Sequence, residues 1–419
     1  MTNVTSSRRC VHDHSLTRTL IARWVVTRLG LRSPIRRVVM AINLNALGSK
    51  LSRYRDQLAM SQEEVSAAAL IPLERLRSIE SGVTEPSGDE VLILADLYRC
   101  DFKFFISNES LAPFEQTDIL YRKHGDEFTK DDRRAIQEFL YLCETEDFLM
   151  KELNIRHRAF DPSSASGHFK TDGIQAAKAF RRFNQHGGNA VPRDVYQEIR
   201  QTGVHVFRRQ LGNSGISGLF LDHPTAGQCI LVNYSEDIYR QRFSAAHEFA
   251  HALFDASGGP SITYSRTPKG DYLELRANTF ASHYIMPPEV LRQLPNPEGW
   301  TSMEIEHWAQ ELRVSCFALA VSLKSEGLVG DSAFERIKSH RVQRDLKIDP
   351  ELPAQLTPHQ RDRKSRLLAK GLSDSYVVLC MEAASQGLIT HGRLAEALLC
   401  DSDELHDLLS LYGKSRNGH

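Results

Sequence analysis

Two histidines and a glutamate in residues 242–254 have the types and spacing of a metal-dependent hydrolytic site. A helix turns about 100° per residue, so His247 and His251 lie on one face, one turn apart, and both imidazoles can bind one Zn²⁺. Glu248 points to the side of that face, where it can take a proton from an activated water instead of binding the metal. The spacing therefore predicts zinc-assisted hydrolysis with Glu248 as the general base.

The residues around this motif are almost all apolar, which predicts that the helix is buried. They are Phe243, Ala245, Ala246, Phe249, Ala250, Ala252, Leu253 and Phe254. Two neutral histidines and a carboxylate are costly in a buried helix unless something compensates them. A metal ion would do so. The alternative is a chance motif on a core helix whose histidines are satisfied by structural hydrogen bonds.

A catalytic zinc site uses three protein ligands and leaves one position open. The metzincin pattern would place glycine and a third histidine where Phe254 and Ser257 stand, so that class is excluded. A glutamate on a following helix is the other option, and Glu274 supplies it. On that helix Glu274 shares a face with Asn278 and with small or apolar residues, which suits a ligand backed by a neighbouring amide. The alternative for Glu274 is a surface carboxylate.

Four other side chains near the motif have competing interpretations. Tyr264 and Tyr284 are candidates to stabilise the oxyanion that forms during hydrolysis, with core packing as the alternative for either. His283 lies about 180° from Glu274 around the helix, so we expect it at the surface or between domains and not at the metal. We expect Arg276 to point to solvent.

The bulk composition is that of an ordinary globular protein. Of the 419 residues, 41% are hydrophobic and 25% are charged, and the net charge is −1. The seven cysteines are scattered and include no Cys-x-x-Cys pair, which favours a reducing compartment, the cytoplasm, over a disulfide framework. The sequence contains no apolar run of about 18 residues, so we expect no membrane span.

Five segments follow from patterning and composition, and together they predict a mostly helical α+β protein. The predicted segments are a basic, disordered N-terminal extension (1–43), a helix-turn-helix domain (44–111), a helical connector and linker (112–168), a zinc metallopeptidase domain (169–345) and a C-terminal helical module (346–419). Residues 1–39 hold eight arginines and one acid, Asp13. A targeting or surface-binding segment is the alternative for that extension. Prolines at 350, 353 and 358 predict a linker before the last module.

Residues 44–111 are predicted to form a bundle of about five short helices. Ser61 and the acids after it read as an N-cap and first turn. Residues 72–82 form the next helix, with Pro72 at its start and Gly82 past its end. Two short helices joined by a tight turn make a helix-turn-helix unit, and the sequence from Ser61 to Tyr98 resembles the Cro/repressor-type family.

That resemblance implies that the second helix of the pair enters the major groove of double-stranded DNA. The implied contact residues are Gln62, Leu73, Glu74, Arg75, Arg77 and Ser78. Two features favour the alternative, dimerisation or partner recognition. Leu70 stands where the family usually has glycine in the turn. Residues 41–110 contain 7 Lys or Arg against 11 Asp or Glu, net −4, and an acidic module neutralises phosphates poorly.

Strands are predicted directly before the motif helix, over 204–207, 216–221 and 229–234. They favour a small, mostly antiparallel sheet beside that helix. In zinc peptidases the edge strand of such a sheet holds the substrate in extended form. Residues 229–234 are the candidate for that strand, and a plain core strand is the alternative.

The motif His-Glu-Phe-Ala-His-Ala-Leu, followed by Glu-x-x-Ala-Asn-x-Phe-Ala and Ile-Met-Pro, resembles the ImmA/IrrE family of metallopeptidases. The resemblance covers about residues 174–290, and fusion to a Cro-type helix-turn-helix also occurs in that family. It implies Zn²⁺ ligands at His247, His251 and Glu274 and a catalytic base at Glu248. Family members cut helix-turn-helix repressors and so switch on stress or mobile-element genes, which implies a repressor substrate here.

Two functional hypotheses follow. The first is a cytoplasmic zinc endopeptidase and transcriptional regulator that cleaves a helix-turn-helix repressor. The second is a DNA-binding or antitoxin-like regulator that uses the peptidase fold as a sensor or scaffold, without proteolysis. Glu248 favours the first, because a site kept only for structure needs the ligands but not the base.

Overall fold

A computed structural model describes residues 42–107, 117, 119–121, 127–162, 167–256, 260–264 and 271–413. Within these ranges the chain is mostly helical around one small four-stranded sheet, so the predicted α+β class is confirmed. The basic extension before residue 42 lies outside the described residues. Among the helices that the structure describes, none is long and apolar enough to cross a membrane.

Five short helices follow one another at the start of the described chain, as predicted. They are α1 (Leu44–Gln57), α2 (Gln62–Ala69), α3 (Leu73–Glu80), α4 (Gly88–Leu97) and α5 (Phe102–Ile106). Ser61 caps α2 in a capping box with Glu64, because its hydroxyl accepts one of the helix's free N–H groups. Leu70, in the turn between α2 and α3, has a φ of +55° and is 89% exposed. The turn therefore has a left-handed backbone at residue 70, a conformation that glycine adopts more easily than leucine.

The remaining elements begin with a long helix and end with a helical module. They are α6 (Lys130–Glu152), α7 (Phe169–Phe183), α8 (Val195–Arg200), β1 (His205–Arg209), β2 (Ile216–His223), β3 (Gly227–Asn233), α9 (Ile238–Phe254), β4 (Ser261–Tyr264), α10 (Tyr272–Ile285), α11 (Pro288–Leu291), α12 (Ser302–Glu311), α13 (Cys316–Ser325), α14 (Asp331–Ser339), α15 (Pro358–Ala369), α16 (Asp374–Ser385), α17 (His391–Ala397) and α18 (Ser402–Leu411).

The strand order in the sheet is β1-β3-β2-β4. Strand β1 runs parallel to β3, whereas β2 is antiparallel to both β3 and β4. Strand β3 is hydrogen-bonded on both sides, because Leu231 pairs with Phe207 and with Leu219. Residues 229–234 are therefore not the edge strand for which they were the candidate, and the alternative, a core strand, is confirmed. The sheet ends instead at β4, a four-residue strand that the sequence patterning did not reveal.

The sheet separates two hydrophobic cores, since alternate residues of a strand point to opposite faces. Leu219 and Leu231 belong to a core shared with α1–α6 and the C-terminal helices. Phe220 and Ile230 belong to the other core, which contains α7–α14. Helix α9, which carries the histidine motif, packs on that second face through residues such as Ala245 and Phe249.

The segment between α14 and α15 is held by buried ion pairs. Glu351 is 8% exposed and accepts hydrogen bonds from Arg200 at 2.8 Å and from Arg208 at 2.7 Å. Arg208 also binds Asp349 at 2.9 Å. The segment that its prolines predicted to be a linker is therefore attached to α8 and β1 through Asp349 and Glu351. Both carboxylates are needed there, because a buried guanidinium is costly without a charged partner.

Candidate metal centre

Two adjacent helices carry the predicted site residues. Helix α9 begins after Asp237, whose carboxylate accepts from the N–H of Tyr239. Helix α10 begins after Asp271, which accepts from the N–H groups of Leu273 and Glu274. These caps fix where each helix starts and hence which side chains face the partner helix.

The imidazoles of His247 and His251 and the carboxylate of Glu274 converge on one point. The two Nε2 atoms lie 3.2 Å apart. Glu274 Oε2 is 3.3 Å from His247 Nε2, and Oε1 is 3.2 Å from His251 Nε2. One ligand atom from each residue lies within 4.8 Å of the others. Among the described residues, this is the group of histidine, cysteine or acidic side chains placed closely enough to hold a metal ion. The spacing of three such donors around one point suits a small cation.

The hydrogen bonds on the far side of each ring show that the centre needs positive charge. His247 Nδ1 lies 3.2 Å from Asn278 Oδ1, and His251 Nδ1 lies 2.9 Å from Asp255 Oδ2. Both acceptors favour a proton on Nδ1, which leaves the Nε2 lone pairs facing one another and a carboxylate. Such an arrangement is repulsive unless a proton or a metal cation lies between them.

The electrostatics of the site agree with this geometry. Burial lowers the pKa of His251, but its hydrogen bonds to Asp255 and Glu274 outweigh burial and raise the pKa to about 10. Burial raises the pKa of Glu274, but hydrogen bonds from both histidines hold it well below its usual range. A positive charge is therefore stabilised beside an ionised carboxylate, and a metal ion that binds the neutral imidazole of His251 has to displace the proton that otherwise supplies this charge.

Asp255 and Arg276 support the site and were missed or misjudged from the sequence. Arg276 is 6% exposed and forms an ion pair with Asp255, so the expectation that it points to solvent is wrong. Its guanidinium lies 4.4 Å from the centre of the Phe254 ring, where a cation–π contact helps to retain the buried charge. Asp255 follows His251 by four residues, a helical spacing that could have indicated the contact.

Replacing Asp255 by alanine is expected to weaken zinc binding by about 10- to 100-fold, because His251 loses the group that fixes its ring and its proton. Competition with a chromophoric chelator measures the affinity. Asp331→Ala removes an aspartate side chain that is 97% exposed and serves as the control. Equal affinities for the two variants would show that Asp255 does not orient the histidine.

Glu248 is fully buried beside the cluster. Its exposure is 0%, and neither carboxylate oxygen has a hydrogen-bond partner among the described residues. Burial raises its pKa. A buried carboxylate without partners is costly, so this side chain has a use other than stability.

The two tyrosines proposed for the oxyanion differ in outcome. The side chain of Tyr264 lies outside the described residues. Tyr284 is fully buried and its hydroxyl donates to Glu198 on α8, so the oxyanion role is wrong for it and core packing is its use. His283, which we expected away from the metal, is half-buried and bonds the backbone oxygen of Thr279 at 3.0 Å.

The polar side chains predicted to contact DNA are bonded inside the helix-turn-helix domain. Arg75 forms a two-point ion pair with Glu90, one contact being 2.7 Å. The other contacts involve Arg77 with Glu74 at 2.8 Å and Glu63 at 3.1 Å, Gln62 with Glu80 at 2.7 Å, and Ser78 with the backbone oxygen of Glu74 at 2.9 Å. Leu73 begins α3 and is half-buried. Contact with DNA stays a prediction for these residues.

Two family models match parts of the chain. Residues 199–324 match the IrrE N-terminal-like domain, a peptidase family, and residues 51–105 match the helix-turn-helix. The first match contains the sheet and helices α9 and α10, and the second contains α2 to α4. No curated protein and no solved structure matches the chain. The chain therefore joins a helix-turn-helix domain to an IrrE-type peptidase domain, which is the fusion that its sequence predicts.

Proposed function

We propose that this protein is a zinc-dependent endopeptidase whose activity is tied to gene regulation. The observation that carries the proposal is the convergence of His247, His251 and Glu274 beside the partnerless carboxylate of Glu248. Three nitrogen and oxygen donors with no fourth protein donor in the described group fit a catalytic zinc ion, since structural zinc sites are closed by four protein ligands. The match to a peptidase family supports the same reaction class.

The residues around this centre have separate tasks. When bound, a zinc ion supplies a Lewis acid that lowers the pKa of water and polarises a carbonyl group. Glu248 accepts the proton of the attacking water and then passes it to the leaving nitrogen. Asn278 and Asp255 hold the two imidazoles through Nδ1, so each Nε2 points to the centre.

Strand β4 is the best candidate to hold the substrate. It is hydrogen-bonded to β2 on one side and ends the sheet order on the other. An extended peptide can add to such an edge through backbone hydrogen bonds. Helix α9 contacts β4, so a peptide on that edge would pass close to the catalytic centre.

The proposed substrate is a helix-turn-helix repressor, and its cleavage would derepress stress or mobile-element genes. This follows from the family resemblance together with the fused helix-turn-helix domain. Co-expression with helix-turn-helix proteins encoded nearby, followed by mass spectrometry, tests it. We expect one fragment pair from one partner. Intact partners in the presence of a zinc-loaded protein would contradict the substrate assignment.

The helix-turn-helix domain is proposed to bind double-stranded DNA through α2 and α3. Substituting Arg75 and Arg77 together by alanine is expected to weaken binding by about tenfold or more, as base or phosphate contacts are lost. Arg99→Ala, in the turn after α4, is the control. Electrophoretic mobility shift with genomic fragments that flank the coding region measures the affinity. Unchanged binding would place the DNA contact elsewhere.

Recognition of another protein is the second candidate for this domain. The favouring observation is that acids of the domain already bind both α3 arginines: Glu90 binds Arg75, whereas Glu63 and Glu74 bind Arg77. Phosphate groups would have to displace those carboxylates. If this surface binds a second copy of the chain or a repressor, DNA should show no mobility shift even at low salt. The protein complex should instead stay intact in size-exclusion chromatography.

A further inference from the structure

The carboxylate of Glu248 lies in a space that exists because residue 218 has no side chain. A Cβ atom built on Gly218 would come within 3.0 Å of both Cγ and Oε1 of Glu248. The same atom would lie 3.0 Å from the backbone oxygen of Leu231 on β3. Packing this tight forces a neighbour to give by a few tenths of an ångström, and the side chain of Glu248 can give more easily than the backbone oxygen of Leu231.

Strand β4 brings a hydroxyl group to the same place. Thr263 is the register partner of Gly218 across β2 and β4, so its side chain is on the sheet face where residue 218 has none. Thr263 is 8% exposed, and its hydroxyl has no aligned hydrogen bond among the described residues. A buried hydroxyl and a buried carboxylate, each lacking a partner, satisfy one another at small cost in movement.

We infer that Gly218 and Thr263 are positioning residues for the general base. The missing side chain at 218 leaves the space that Glu248 fills, and the Thr263 hydroxyl fixes the orientation of its carboxylate. The catalytic part of this inference rests on the proposed function of Glu248, whereas the packing part does not. Because β4 is also the last strand of the sheet among the described residues, the strand that would receive the peptide is the one that orients the base.

Kinetics of the zinc-loaded variants test the catalytic part. Gly218→Ala is expected to lower kcat by about tenfold with little change in KM, because Glu248 must give by a few tenths of an ångström and a displacement of about 1 Å can cost about 100-fold. Thr263→Val is expected to lower kcat by about tenfold, the size of one lost hydrogen bond, whereas Thr263→Ser keeps the hydroxyl and the rate. Zinc content stays unchanged throughout. Two variants serve as controls. The first is Gly188→Ala, because a Cβ added there meets nothing within 4 Å. The second is Thr145→Val, which removes another buried hydroxyl that has no hydrogen-bond partner among the described residues.

Thermal unfolding of the full chain tests the packing part without any catalysis. Gly218→Ala is expected to lower the unfolding midpoint of the wild-type protein, and to lower it by less than half as much when residue 248 is alanine. Equal losses in the two backgrounds would overturn the inference, as would wild-type kcat in both Gly218→Ala and Thr263→Val. If Glu248→Gln leaves cleavage intact, the proposed function fails, while the unfolding cycle still decides whether Gly218 makes room for Glu248. Should Gly218→Ala not fold, the valine and serine variants of Thr263 decide alone.

Discussion

Replacing Glu248 by glutamine is expected to abolish peptide hydrolysis and to leave the metal in place. Glutamine has the same shape but cannot accept the proton of the attacking water, and removal of a general base costs about 100- to 10,000-fold in rate. The zinc content should be unchanged, because the three donors that converge at the centre are His247, His251 and Glu274. Mass spectrometry of a substrate protein and metal analysis of the same preparation measure both quantities.

The control is Glu289→Gln, a change of the same kind at an exposed residue in the first turn of α11. It should cleave at the wild-type rate. A Glu248→Gln protein that still cuts its substrate would show that another group accepts the proton, and the mechanism proposed for this site would then be wrong. Loss of zinc together with activity would instead make Glu248 part of the metal-binding structure.

Replacing Glu274 by alanine is expected to remove zinc from the protein. Two imidazoles alone cannot hold the ion, and the loss should exceed the roughly 10- to 100-fold that supporting residues contribute. A ligand that binds the native state and not the unfolded chain raises the midpoint of thermal unfolding. Zinc should therefore stabilise the wild-type protein, which binds it, and not the variant. We therefore expect that added zinc raises this midpoint for the wild type and not for the variant.

Glu335→Ala, an exposed carboxylate on α14 with 66% of its side chain accessible, is the matched control and should bind zinc normally. A Glu274→Ala protein that retains one equivalent of zinc after dialysis would mean that the third donor is another residue. Glu274→Gln adds a second comparison, because it keeps the side-chain volume but removes the negative charge that the two histidines face.

Local patterns predicted the two helices of the site and the faces they present. The spacing of His247 and His251, and the face shared by Glu274 and Asn278, depend only on the 3.6-residue period of a helix. The structure brings these four side chains together. The helix-turn-helix bundle was predictable for a similar reason, since Ser61 and the residues after it determine a cap and a turn locally.

The features that the sequence did not reveal depend on contacts between distant segments. Strand β4 has four residues, too few for an alternating pattern, and its pairing with β2 makes it an edge. Arg276 looked solvent-facing because nothing in α10 indicates that Asp255, the residue at the C-terminal end of α9, lies opposite. Gly218 is an ordinary strand residue until Glu248, thirty positions later, is packed against it.

A crystal structure with data collected at the zinc absorption edge tests the central claim most directly. We predict one anomalous peak about 2.0–2.2 Å from the Nε2 atoms of His247 and His251 and from a carboxylate oxygen of Glu274, with a non-protein fourth ligand. A peak elsewhere, or a fourth protein side chain bound to the ion, would contradict the assignment of this centre as a catalytic zinc site.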